Sequence, residues 1–156
     1  MDKTNVMRLL DGMGIPYVPR SYPVGDSVPG GVEAARLMGE DPEHVFKTLV
    51  TQGASGRYYV FVIPVGEELS LKKAASAAGE QSIAMLKSRD LLPLTGYVHG
   101  GCSPIGMKKP FPTMVDETVE LCDTLIFSAG KIGYQVEMRP EDLFRAVNCT
   151  VADLTV

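Results

Sequence analysis

The sequence predicts an α+β fold, a mixed α/β domain rather than a doubly wound parallel sheet, and three observations carry that expectation. Short strand-like apolar runs are interspersed with helix-like segments, and some of those runs are joined by hairpin signals instead of long crossovers. The chain of 156 residues is 45% apolar and has no repeat or low-complexity linker, so residues 1–156 are expected to form one globular unit around one core.

The elements follow in order. Val6, Leu9, Leu10 and Met13 recur at helical spacing, with Thr4 or Asn5 able to cap the start and Gly14 to stop it. Residues 15–22 read as extended, and their two prolines confine them to a sheet edge or to strand ends. A loop over 23–31 leads to a second helix over 32–38. Asp41 before Pro42 predicts a capped helical turn, followed by a strand over 45–51. The glycine-containing segment 52–57 then joins this strand to the aromatic, β-branched run 58–65 as an antiparallel hairpin.

Ser70 precedes Leu71, Ala74, Ala75 and Ala78 at helical spacing, with Gly79 at the stop position. Residues 85–92 fit neither period. After the glycine-rich segment 100–106, short strands are expected over 113–115, 124–128 and 134–138, with Ala129-Gly130 and Gly133 as turns. Pro140 opens a last helix reaching Val147, with two acids near its amino end.

Asp2, Arg8 and Asp11 interrupt any apolar leader in the first fifteen residues. The longest apolar run falls far short of the roughly 20 residues that a spanning helix requires, so no membrane association is expected. Cys102, Cys122 and Cys149 cannot all pair within the chain, and none has zinc-ligand spacing, which fits a reducing cytoplasm and no metal. The acidic side chains are scattered without the spacing of a metal site or a catalytic pair. A net charge of −4 excludes binding of nucleic acid mainly through a broad basic surface.

The densest run of unusual backbone is His99-Gly100-Gly101-Cys102-Ser103-Pro104-Ile105-Gly106. Glycines allow positive φ and close approach while proline fixes one dihedral, so several amides can be aimed into a small concavity that suits an oxyanion or a phosphate. The same pattern also describes a plain tight connection. Lys47 lies within a predicted strand, where alternation sets it opposite Phe46 and Thr48; it is either a solvated lysine or a cation projecting from the sheet. Cys102 sits three residues after His99, but no third partner is identifiable, and a buried filler is the plainer role. His44, Lys108 and Lys109 read as surface residues. Gly130-Lys131 lacks the spacing of a nucleotide P-loop.

Four segments in register then resemble one family: Val45-Phe46-Lys47-Thr48-Leu49, Leu69-Ser70-Leu71-Lys72-Lys73, the run from Gly100 to Lys109, and Ser128-Ala129-Gly130-Lys131. Together they resemble the YbaK-type Cys-tRNA(Pro) deacylases, relatives of the editing domain inserted in bacterial prolyl-tRNA synthetases. The resemblance implies a partly barrel-like mixed sheet surrounded by helices. It also implies removal of wrongly attached cysteine from proline tRNA in trans, with no cofactor and with prolyl-tRNA synthetase as a partner. By that resemblance Lys47 and Tyr22 contact the terminal adenosine and Thr48 lines the site. The loop residues Gly100, Gly101, Cys102, Ser103, Pro104, Ile105 and Gly106 surround the aminoacyl carbonyl, and Ser128 with Gly130 forms the opposite wall. Relatives often carry aspartate where this chain has Gln135.

The family is thought to let the substrate's own thiol attack its ester, so that the protein supplies position and polarisation instead of a nucleophile. A deacylase for alanine or another small amino acid, and a non-catalytic module that binds the charged 3′ end or a synthetase, are the alternative readings.

Overall fold

The computed structural model describes residues 2–156. Helix α1 (Asn5–Met13) starts where the Thr4 hydroxyl accepts from the Met7 amide and ends at Gly14 in the left-handed conformation, burying Val6, Met7 and Leu10. Strand β1 (Val18–Ser21) follows, and Pro19 is tolerated there because β1 is an edge strand. Helix α2 (Gly31–Leu37) and a 3-10 turn over Pro42–His44, capped by Asp41, lead into the central hairpin of β2 (Phe46–Gly53) and β3 (Tyr58–Pro64). Those strands pair antiparallel from Phe46 with Pro64 to Gln52 with Tyr58.

Helix α3 (Leu71–Ala78) has the expected Ser70 cap and Gly79 stop. The segment that fitted neither period divides into β4 (Ile83–Met85) and α4 (Ser88–Thr95), with Pro93 inside the helix disturbing its pattern. Next come β5 (Thr113–Asp116), a 3-10 turn over Glu117–Leu121, β6 (Leu125–Lys131), β7 (Tyr134–Met138), α5 (Pro140–Ala146) and β8 (Cys149–Ala152). One turn expectation is corrected: Ala129 and Gly130 lie inside β6, which runs to Lys131 through an irregularity between Ser128 and Lys131. The reversal is made by Ile132 and Gly133, and Gly130 (φ 90°) supplies the conformation of the bulge.

Two sheets result, one ordered β1-β7-β6 and antiparallel, the other ordered β4-β2-β3-β5-β8 with β5 parallel to both β3 and β8. A single parallel bridge between Val45 and Ile126 joins β6 to the start of β2. The barrel-like character is this bent, linked pair of sheets; they do not close.

Three hydrophobic clusters fill the molecule. The largest lies under α1 and packs Leu10, Phe46, Val60, Leu125 and Phe127 together. A second packs Phe61, Ile63 and Leu154 against Ala74 and Ala75 of α3. The third is small, consisting of Ala35 of α2 with Val45, Val65 and Ile126, and it contains both residues of the inter-sheet bridge. Among the described residues no helix is long and apolar enough to cross a membrane.

Candidate active site

The strand pairing itself creates a cleft. Each strand has two hydrogen-bonding edges, and β3 occupies one edge of β2 along its whole length. The other edge meets β6 only at Val45 and β4 only at Thr51–Gly53, so no strand covers the stretch between. β2 and β6 run parallel at the bridge and part beyond it. Lys47 and Ser128 each lie two residues past the bridge, and both line the resulting cleft of about 240 Å³. This matches the general preference of ligands for the carboxyl ends of strands whose neighbours diverge.

Lys47 is half-buried, and its Nζ donates to the Val65 carbonyl at 3.3 Å. Burial lowers its pKa, an effect opposed by the nearby carboxylates of Glu67 and Glu68. Opposite, Tyr22 is buried at the end of β1 with its amide bonded to the Gly133 carbonyl at 3.0 Å, and Ser128 accepts from the Gly130 amide at 3.1 Å. Thr48 Oγ1 and Gln135 Oε1 are buried without a hydrogen-bond partner, and both residues line the cleft. Buried polar atoms are normally paired, and these two oxygens are sealed within the wall.

The glycine loop reaches the cleft only at its beginning. His99, Gly100 and Cys102 line it. Gly100 has φ 86°, and a Cβ there would stand 2.8 Å from Val28 Cγ1, so the residue must be glycine for the 23–30 segment to lie against the loop. Cys102 is buried and its thiol is pushed up to about 12 by desolvation, which leaves it protonated and unfit as a nucleophile.

The remaining predicted loop residues are not at the cleft. Gly101 packs on the backbone of Ile132, Ser103 accepts from the Ile105 amide, and Ile105 sits in the main core, its carbonyl taken by the Tyr97 hydroxyl. Pro104 and Gly106 line a separate cavity of about 230 Å³. Gly130 turns towards Tyr97, whose ring a Cβ would meet at 2.8 Å. The expectation that the whole segment surrounds the reacting carbonyl therefore narrows to Gly100 and its neighbours, because the Tyr97 and Ser103 hydroxyls hold the later half against the core.

Several lining residues were not singled out from sequence: Val28, Gly30, Gly31, Ala34 and Leu91. Gly31 could have been noticed. A Cβ there would meet Val65 Cγ1 at 2.6 Å, so glycine at 31 lets the start of α2 lie against Val65, just past the end of β3. Among the described residues no carboxylate lines the cleft; its titratable side chains are Tyr22, Lys47, His99 and Cys102.

Residues 27–146 match the model of the aminoacyl-tRNA editing domain. The chain is 40% identical over 153 residues to EbsC of Enterococcus faecalis, a proposed Cys-tRNA(Pro)/Cys-tRNA(Cys) deacylase, covering 98% of this chain and 93% of that one. The fold is shared with the crystal structure of a proposed trans-editing enzyme for prolyl tRNA synthetase (TM-score 0.83, 24% identity, 99% of each chain). It is also shared with the hypothetical protein APE2540 (TM-score 0.87, 23% identity, 98% of this chain and all, 100%, of that one). Lys47, Gly100 and Ser128 thus meet at a cleft inside a segment that the family model spans, and the chain belongs to the aminoacyl-tRNA editing domain family.

Proposed function

We propose that the chain is a trans-editing deacylase that releases cysteine from Cys-tRNA(Pro) in the cytoplasm. The observation that supports this reading is that Lys47, Thr48, Gly100, Ser128 and Gln135 line one cleft. The identity to EbsC over nearly the full chain supports the choice of cysteine.

Selectivity by size alone is weak here, because one methylene of apolar contact separates ligands by only about 1–3 kcal/mol. Chemistry separates them better. The substrate thiol attacks its own ester carbonyl, the C–O bond to the terminal ribose breaks, and a thiolactone leaves while the tRNA regains its hydroxyl; alanine and proline have no thiol to do this. Holding thiol and carbonyl in a reactive pose contributes several kcal/mol, up to about 7–11 for ideal geometry. An amide aimed at the developing oxyanion is worth about 3 kcal/mol more. Lys47 suits the phosphate or ribose of the terminal adenosine, and the protonated Cys102 serves as wall and not as reagent.

A net charge of −4 leaves little general attraction for the tRNA body, and in this reading prolyl-tRNA synthetase supplies that grip. The test is to follow ester loss from tRNA(Pro) charged separately with cysteine, alanine and proline. Rapid loss of cysteine alone is expected. Equal loss of alanine would favour the broader small-amino-acid deacylase, and no loss of any would leave only a binding module.

A further inference from the structure

His99 stands at the cleft beside Gly100 and is exposed, with no side-chain hydrogen bond to hold its imidazole elsewhere among the described residues. The chemistry proposed above needs a proton acceptor, because a cysteine thiol has an ordinary pKa of about 8.5 and is mostly protonated at neutral pH. The cleft offers few candidates. Among the described residues no carboxylate lines it, and at the strand position facing Ser128 it presents the neutral amide of Gln135. Lys47 on β2 is a cation donating to Val65, and the Cys102 thiol on the loop itself is held protonated by burial. Tyr22, at the end of β1, is a buried phenol. Imidazole is the one side chain whose ordinary range lies close to neutrality and which can both take and return a proton.

We propose that His99 is the acid–base residue of this cleft. Resting on the deacylase reading, one proton moves in a closed cycle. The neutral imidazole takes the thiol proton as sulfur bonds to the ester carbonyl carbon. The imidazolium then gives that proton to the terminal ribose oxygen as the C–O bond breaks. Thiolactone and free tRNA leave, and His99 is neutral again, so no external acid or base is consumed. The charged side chain that shares the cleft wall with His99 is Lys47, with Glu67 and Glu68 near that lysine; the polar ones are Tyr22 and Cys102. Because the base must start uncharged, kcat/KM falls towards acid pH, and that fall depends on the side chain at position 99.

The test uses the full chain with Cys-tRNA(Pro) and the variants His99→Gln and His99→Ala. The expected result is a fall of about 100-fold or more in kcat, in the range general acid–base catalysis provides, with KM moved by less than about 3-fold. The acidic limb of the pH profile disappears, and added imidazole partly restores the His99→Ala rate. Since His99 is exposed, both variants should melt with the native protein. A variant that keeps the acidic limb, or whose loss lies wholly in KM at every pH, overturns the assignment and makes His99 a contact to the tRNA end. A native protein inert towards Cys-tRNA(Pro) instead overturns the deacylase reading on which it rests.

Discussion

Lys47 carries opposing demands. Burial lowers its folded-state pKa below the unfolded value, so the charged form that function requires works against folding at neutral pH, and this cost fades only as pH rises through its folded pKa. Lys47→Met should therefore raise the melting temperature while reducing kcat/KM for Cys-tRNA(Pro) by about 100-fold or more, in line with the usual opposition of stability and activity; calorimetry and the deacylation assay check both halves. Cys102→Ala makes the opposite pattern. With its thiol held at about 12 it has no reagent's role, so activity should stay within about 3-fold while the melting temperature falls from lost packing. At this scale the sequence was informative about residues whose chemistry is unusual for their surroundings, such as a lysine inside an apolar strand or consecutive glycines. It was silent on Val28, Ala34 and Leu91, since an apolar residue in a cleft wall looks like any other apolar residue until the chain is folded. Ile105 and Gly106 failed for the reverse reason: the loop turns Ile105 into the core, where the Tyr97 hydroxyl holds its carbonyl, and leaves Gly106 on a separate cavity.

The helices α1 and α3 were readable because their caps and stops are explicit, Thr4 with Gly14 and Ser70 with Gly79. Ser70→Ala should cost about 1 kcal/mol by urea unfolding, through loss of the acceptor for the Lys73 amide. The element α4 was opaque because Pro93 stands inside it, and β8 because Cys149–Ala152 is half-exposed and gains its strand character only by lying parallel to β5. Gly130 belongs here too. Its φ of 90° and the Tyr97 ring at 2.8 Å from a built Cβ mean that Gly130→Ala should lower stability by more than about 1 kcal/mol and disturb the β6 irregularity that sets Ser128. A loss of activity exceeding the loss of folded protein would separate the second effect from the first.

Across the whole molecule the acid side is the vulnerable one. Hydrogen bonds from Ser55 and Tyr59 hold the Glu80 carboxyl below its usual range, and the guanidinium of Arg139 does the same for Asp142. For a depressed carboxyl the stabilisation is present above the unfolded pKa and is lost as pH falls through the folded one. Melting temperature should therefore be flat near neutrality and decline below about pH 4, the ordinary carboxyl range, and Glu80→Gln should blunt that decline. The overall architecture was legible to the level of class, because hairpins and capped helices are local. The joining of the two sheets was not, since nothing in the neighbourhood of Val45 announces Ile126 as its partner. That join has a consequence for specificity. Ala35, Val45, Val65 and Ile126 form a keystone from which two strands splay; Val45 and Val65 face the cleft while Ala35 and Ile126 back them, so the gape of the site is set in part from behind its wall. Trimming the keystone, as in Ile126→Val, would let the jaws settle closer or wider without altering a single reactive group. The ratio of cysteine to alanine release should shift before either rate collapses, and evolution could retune the sieve from there.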